Sequence, residues 1–318
     1  MPQSSETYRR IAGRTGYRVE AIEKVVRLGE LLRELDTESK LIGSLVLRGG
    51  TALNLELAQP PRLSVDLDFD YVGEIQRDAM LASKPVVLKN VESAARSLGY
   101  RVALIKDAPA GSSFKLDYVN ALAGQDLLKV DISWTNRVGI EPTRRVSLWQ
   151  PEEIDPVTYP LVGRSDLIAG KYRALIDRTA ARDCFDSVQI ARAFGESWPP
   201  PEVQNAFVFL TGTLNLPLTS YAVERVERLT NDDFSNNLLP MLSPDIVLDR
   251  DELVRTVGQA LRPMLALNEA QSEFVSALDA GELKPELLFS AEVADRLAQH
   301  PHLVWKAQNR KKFLKDKP

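Results

Sequence analysis

Hydrophobic positions change their spacing along the chain, and each spacing predicts a different element. In "RVEAIEKVVRLGELLREL" Ile22, Val25, Val26, Leu32 and Leu35 recur at helical intervals, which predicts an amphipathic helix. The next stretch, "SLVLRGGTALNLELAQPPRLSVDLDFDYVG", predicts a short strand at 45–47, a Gly-Gly turn, a helix over "ALNLELA" with Thr51 as its N-cap, and a stop at "QPP". Strict alternation from 62 to 70 predicts a strand. Leu63, Val65, Leu67, Phe69 and Tyr71 then share the core face, and Arg62, Ser64, Asp66, Asp68 and Asp70 share the other. Further on, "MLASKPVVLKNVESAARSLGY" reads as helical in its second half. "RVALIKD", "SSFKLDYVNAL" and "LLKVDISWTN" read as strands, the last two as a hairpin across "AGQD".

From about Ser165 the period becomes helical and stays so. "SDLIAGKYRALIDRTAARDCFDSVQIARAF" is the strongest helical region, and the prolines of "ESWPPP" end it. "DELVRTVGQALRPMLALN" and "EAQSEFVSALDAG" predict further helices. A soft boundary in "PEEIDPVTYP" gives an α+β chain, with a mixed α/β domain at 1–155 and a helical domain at 156–318.

Composition narrows the class. The 318 residues are 44% hydrophobic and 26% charged, the balance of a soluble globular protein. No run nears the ~18 apolar residues of a membrane span, and "MPQSSETYRR" has no apolar leader core. A cytoplasmic protein without a membrane partner is expected. The single Cys184 cannot form an internal disulfide, and with His300 and His302 it does not make a usual zinc set. The net charge of -4 does not announce nucleic-acid binding. The last thirteen residues, however, carry six Lys/Arg against one Asp, or +5, which leaves -9 on the rest. Lys306, Arg310, Lys311 and Lys312 are therefore candidates for RNA phosphate contacts, although a solvated terminus has the same composition.

Candidate chemistry centres on the aspartates, which strands usually avoid. Carboxylates at i and i+2 lie roughly 7 Å apart at Cα and can reach one hard cation or a pair. Upstream, "RGGT" brings bare backbone to a strand–helix turn, suited to phosphate, without the Lys-Ser/Thr of a Walker A loop. Alternation in "LLKVDISW" sets Lys129, Asp131 and Ser133 on one face, so Asp131 can join Asp66 and Asp68 as a third carboxylate around Mg²⁺. An acidic solvated strand and an ordinary tight turn explain each feature singly. On one continuous helix Lys171, Arg178 and Arg182 fall within about 40°, a basic stripe that is either a solvated face or a surface for phosphate.

"LRGGTALNLELAQPPRLSVDLDFDYVG" resembles the first motif of the AbiEii/MenT family of nucleotidyltransferase toxins. "LIAGKYRALIDRTAARDCFD" resembles its later motif and "HPHLVWKAQNR" its C-terminal signature. The resemblance implies a DNA polymerase β-like nucleotidyltransferase domain with a small mixed sheet, followed by a mainly helical C-terminal domain. By its motifs Gly49, Gly50 and Thr51 would hold the triphosphate of an NTP substrate, with Ser64 beside them. Asp66 and Asp68 would hold Mg²⁺ or Mn²⁺, and Lys171 would contact nucleotide phosphates. Asp183 and Asp186 fall on the later acidic positions, Asp183 as a catalytic group, with Arg178 and Arg182 beside them. Arg48 stands where many relatives have Lys. Asp131 as third metal ligand follows polymerase-like geometry.

The expected activity is transfer of nucleotides to RNA, above all to the tRNA 3′ end, which would block translation. Transfer to a small molecule such as an antibiotic or to a protein side chain stays open, as does a non-catalytic metal-binding or interaction protein. Expected partners are tRNA or other RNA and a cognate antitoxin, kinase-like or a transcriptional regulator, with the chain itself a monomer. A phosphate on Ser64 would add about -1.5 to -2 charges beside the metal ligands and is expected to switch the enzyme off.

Overall fold

The computed structural model describes residues 3–38, 41, 43–57 and 59–315, with side chains to 312. Lys315 and Lys317 of the basic tail fall, as side chains, outside the described residues. Two units divide the chain. The first comprises Met1–Arg137, Thr143–Val162 and Pro240–Val247; the second comprises Val138–Pro142, Gly163–Leu239 and Leu248–Pro318.

The first unit opens with helices α1 (Ser5–Thr15) and α2 (Val19–Thr37), then β1 (Leu45–Arg48), α3 (Gly49–Leu55), β2 (Asp66–Tyr71) and α4 (Arg77–Ser97). Strands β3 (Arg101–Asp107), β4 (Gly111–Val119), β5 (Gln125–Ser133), β6 (Arg144–Leu148) and β7 (Val157–Leu161) follow. Among the described residues they form one seven-stranded sheet in the order β3-β4-β5-β2-β1-β7-β6. Hairpin neighbours run antiparallel, whereas β2 pairs β5 and β1 pairs β7 in parallel, so the sheet is mixed. The alternation of β4 and β5 buries Phe114, Leu116, Leu128, Val130 and Ile132 on one face and leaves the other open. α2 supplies Ile22, Val25, Val26, Leu32 and Leu35 to the core and packs on β7 and α4.

Three expectations need correction here. Strand β2 begins at Asp66 rather than at Arg62: after Pro60 and Pro61 the chain turns away, Arg62 makes an isolated antiparallel bridge with Leu242, and the Leu63 N–H donates to the Met241 carbonyl at 2.8 Å. Ser64 is therefore buried off the strand, not aligned with Asp66. Thr51 is the third residue of α3, not its N-cap. α4 is helical throughout, with Pro85 inside it, because Met80, Val87, Val91, Ala94 and Ala95 bury a continuous face that offsets a proline cost of about 3 kcal/mol. Strands β6 and β7 went unforeseen, being short and, in β7, interrupted by Pro160.

The second unit is helical. α5 (Arg164–Arg178) packs on α6 (Ala181–Phe194) and α7 (Pro201–Thr211), and later helices run Arg250–Leu265, Glu269–Asp279, Ala291–Leu297 and Pro301–Lys315. Tyr172, Phe185, Phe207, Phe209, Leu261 and Phe274 fill its core. The long helical region is broken between α5 and α6. Thr179 adopts a left-handed φ of 53° and caps α5, and the Ala181 N–H at the start of α6 donates to Asp233 at 2.6 Å. Lys171, Arg178 and Arg182 thus sit on two helices, and the single basic stripe does not exist. Among the described residues no helix is long and apolar enough to cross a membrane.

Candidate active site

The turn from β1 into α3 explains the paired glycines. Gly49 has φ +76°, and a Cβ there would lie 2.5 Å from an Asp68 carboxylate oxygen. At Gly50 a Cβ would lie 2.8 Å from the Arg62 guanidinium and 2.9 Å from Ser64 Oγ. The first glycine meets both a backbone and a steric demand, and the second a steric one. The Thr51 hydroxyl is 3.1 Å from Ser64 Oγ and donates to the Asp66 carbonyl, so it ties α3 to the start of β2. Ser64 is only 4% exposed. A kinase would have to uncover it first.

Pairing of β2 with β5 sets Asp68 opposite Asp131 and Asp66 opposite Lys129. Because opposed residues share a face, Asp66, Asp68, Asp131 and Lys129 form one patch on the open side of the sheet. Asp131 accepts from the Ser113 hydroxyl on β4 and is 2.6 Å from Lys129 Nζ. The Asp131 hydrogen bond, helped by the charges of Asp131, Asp66 and Asp68, raises the Lys129 pKa above its ordinary value. Asp70 differs from its neighbours: it is buried, 2.9 Å from Arg48 Nε and bonded to Asn136. Burial pushes it up to about 6 against the pull of Arg48. Arg48, Ser113 and Lys129 had no assigned role from the sequence; for Lys129 the signal was its place two residues before Asp131.

This donor set fits a hard divalent cation with substrate oxygens completing its shell. Among the described residues no three His, Cys, Asp or Glu side chains converge tightly enough to hold an ion unaided. Mg²⁺ in phosphoryl-transfer sites is commonly held by one or two carboxylates plus phosphate. The bare Gly49 backbone lets the Asp68 carboxylate sit directly against the β1–α3 turn, which brings that turn beside the carboxylates.

In the second unit Lys171, Asp183 and Asp186 meet as a buried cluster. Lys171 Nζ lies 2.8 Å from Asp183 and 2.7 Å from Asp186, and Arg178 Nε reaches the other Asp183 oxygen at 2.6 Å. The Lys171, Asp183 and Asp186 side chains are 6%, 1% and 2% exposed, while that of Arg178 is 65% exposed. Burial alone would raise the Asp183 carboxyl; Lys171 and Arg178 outweigh it and hold it well below the ordinary carboxylate range. Arg182 is half-buried on α6. On the last helix Lys306 donates to the Leu214 carbonyl, Arg310 pairs with Asp279 at 3.2 Å, and Lys311 and Lys312 are exposed.

Comparison with known proteins adds to this geometry. The family model described as nucleotidyl transferase AbiEii toxin, type IV toxin-antitoxin system, matches residues 30–255. MenT4, a nucleotidyltransferase toxin from Mycobacterium tuberculosis H37Rv, is similar with a TM-score of 0.64 and 18% identity, over 86% of this chain and 93% of that one. A candidate nucleotidyltransferase from H. pylori is similar with a TM-score of 0.50 and 20% identity, over 77% of this chain and 95% of that one. At such identities these two establish a shared fold. No curated protein matches the chain.

Proposed function

Because the chain belongs to the nucleotidyl transferase AbiEii toxin family, we propose that it transfers nucleotides from an NTP to RNA, above all to the 3′ acceptor end of tRNA, and so blocks translation and growth. The observation that supports nucleotide transfer is the acidic row: Asp68 and Asp131 in register on neighbouring strands, with Asp66 one step along and the Gly49–Gly50 turn alongside.

In the proposed reaction a terminal ribose hydroxyl forms a bond to the α-phosphorus of the NTP. The bond from that phosphorus to the pyrophosphate oxygen breaks, and pyrophosphate leaves. Asp131 takes the hydroxyl proton, its orientation fixed by Ser113 and Lys129. Gly49, Gly50 and Thr51 let backbone approach the triphosphate. Asp66, Asp68 and Asp131 would hold Mg²⁺ or Mn²⁺, which supplies neutralisation of the phosphate charge. The family's type IV toxin-antitoxin description supports a cognate antitoxin as partner, which we take to be kinase-like or a transcriptional regulator.

Lys129 competes with a divalent ion for this patch. Its Lys129→Met variant is expected to bind Mn²⁺ about tenfold more tightly, the effect of deleting one charge some ~6 Å away in a water-like dielectric. Free Mn²⁺ measured by electron paramagnetic resonance checks it; unchanged affinity would remove Lys129 from the site.

The reading as a whole is tested by offering the purified chain each labelled NTP with Mg²⁺ and, in parallel, tRNA, total protein and an aminoglycoside. Label at the tRNA 3′ end is the expected result. Label confined to protein or aminoglycoside would replace RNA as acceptor, and no label anywhere would point to a non-catalytic protein.

A further inference from the structure

We propose that the last helix, Pro301–Lys315, carries a stacking platform for unpaired RNA centred on Trp305. The inference rests on RNA being the acceptor. Trp305 is 62% exposed, whereas Trp134 is fully buried and Trp149 and Trp198 are half-buried. An exposed indole offers a partner a large, rigid π-face with a polar N–H at its edge.

Its surroundings say what. At ~100° per residue His302, Trp305, Asn309 and Lys312 fall within about 80° of one another on the helix. The His302 ring stands 6.3 Å from the indole, and Asn309 Nδ2 donates to the Trp305 carbonyl at 2.8 Å, keeping its polar group on this strip. Lys306 and Arg310 lie along one side and anchor the helix through the Leu214 carbonyl and Asp279, while Lys311 and Lys312 stay exposed. From Gln299 to Lys312 there is no Asp or Glu, in a chain whose net charge is -4. An aromatic face flanked by cations matches a polyanion whose units offer flat π-surfaces, which is an unpaired nucleic-acid strand. A duplex hides its base faces, so it would engage the cations but not the indole.

Family membership and phosphate contacts do not by themselves single out this tryptophan. The exposed ring, the helical alignment and the run free of acids do so together. Nothing in this placement requires Trp305 to touch the reacting atoms; it would hold the unpaired strand of the acceptor.

The test is binding of a fluorescein-labelled, unpaired oligoribonucleotide to the full chain without NTP or metal, followed by anisotropy. Trp305→Ala is expected to weaken binding about tenfold and Trp305→Phe to recover most of it. Duplex RNA of the same length should bind with little sensitivity to either substitution. Equal affinity of wild type and Trp305→Ala overturns the proposal, as does equal sensitivity of duplex and single strand. Loss of antitoxin binding in Trp305→Ala with RNA affinity intact also overturns it, because the ring would then serve a protein interface. Should the wild type label tRNA yet bind unpaired RNA without regard to Trp305, only this inference fails. Should it label only protein or a small molecule, the RNA reading fails with it.

Discussion

Asp66→Ala is expected to lower nucleotide transfer by about 10³-fold or more while leaving the melting temperature near that of the wild type. The Asp66 backbone carbonyl, which anchors Thr51, survives the substitution, and the side chain removed lies on the half-exposed face of the sheet. What is lost is one of three carboxylates proposed to hold a divalent ion whose transition-state stabilisation runs to several kcal/mol, hence the magnitude. Growth inhibition on expression should vanish in parallel. Asp70→Asn makes the contrast. Asp70 continues the row along β2 but is buried and tied to Arg48 and Asn136, so its replacement should act on folding more than on transfer. Rates measured with labelled NTP on matched, folded preparations decide the matter; Asp66→Ala transferring at the wild-type rate would take Asp66 out of the reaction.

Lys171→Met is the second large effect, and it separates two roles for one residue. The family motif gives Lys171 to nucleotide phosphates, yet its ammonium is buried and shared between Asp183 and Asp186. Removing the cation leaves Asp186 without it and Asp183 with Arg178 alone among these contacts. Breaking such a buried cluster costs about 3–5 kcal/mol, near 10 °C in melting temperature for a unit of this size. The pH dependence carries a sign. In the wild type Asp183 is depressed, so its contribution is present above the unfolded carboxylate value of about 4 and is lost only as pH falls through the lower folded value. In the variant Asp183 loses the largest of the charges that oppose its burial, so the penalty is full at neutral pH and shrinks in acid. The difference in melting temperature should therefore be widest near pH 7 and narrow in acid. A variant that melts like the wild type but no longer transfers nucleotide would instead make Lys171 a phosphate ligand.

The parts of this molecule readable from sequence are those set by a local period. Leu67 and Phe69 alternate with Asp66 and Asp68 because one face of β2 is buried, and the same period in β5 exposed Asp131 as a partner. Gly49 was legible because few residues tolerate its φ. Long-range pairing was not legible. That Asp68 stands opposite Asp131 depends on strands separated by some sixty residues finding parallel register, which no local spacing encodes. Arg62 and Ser64 kept the alternation of a strand while being folded under α3, since a period of two cannot distinguish a ladder from an extended loop. The break at Thr179 was hidden for another reason: "RTAARD" contains neither Gly nor Pro, and the turn is held by groups outside it, Asp233 accepting from the Ala181 N–H at the start of α6 and Lys171 reaching across to Asp183.

The bridge between Arg62 and Leu242 has a topological consequence. Residues Pro240–Val247 belong to the first unit: Leu63 N–H donates to Met241, Ser243 N–H donates to Pro61 at 3.0 Å, and Pro244 lies so close to Gly16 that a Cβ there would meet it. The chain leaves that unit at Val162 and returns to complete it after more than seventy residues. No single cut can therefore release either unit whole. A ribosome that has made only the sheet has not yet made the last piece supporting the loop before Asp66.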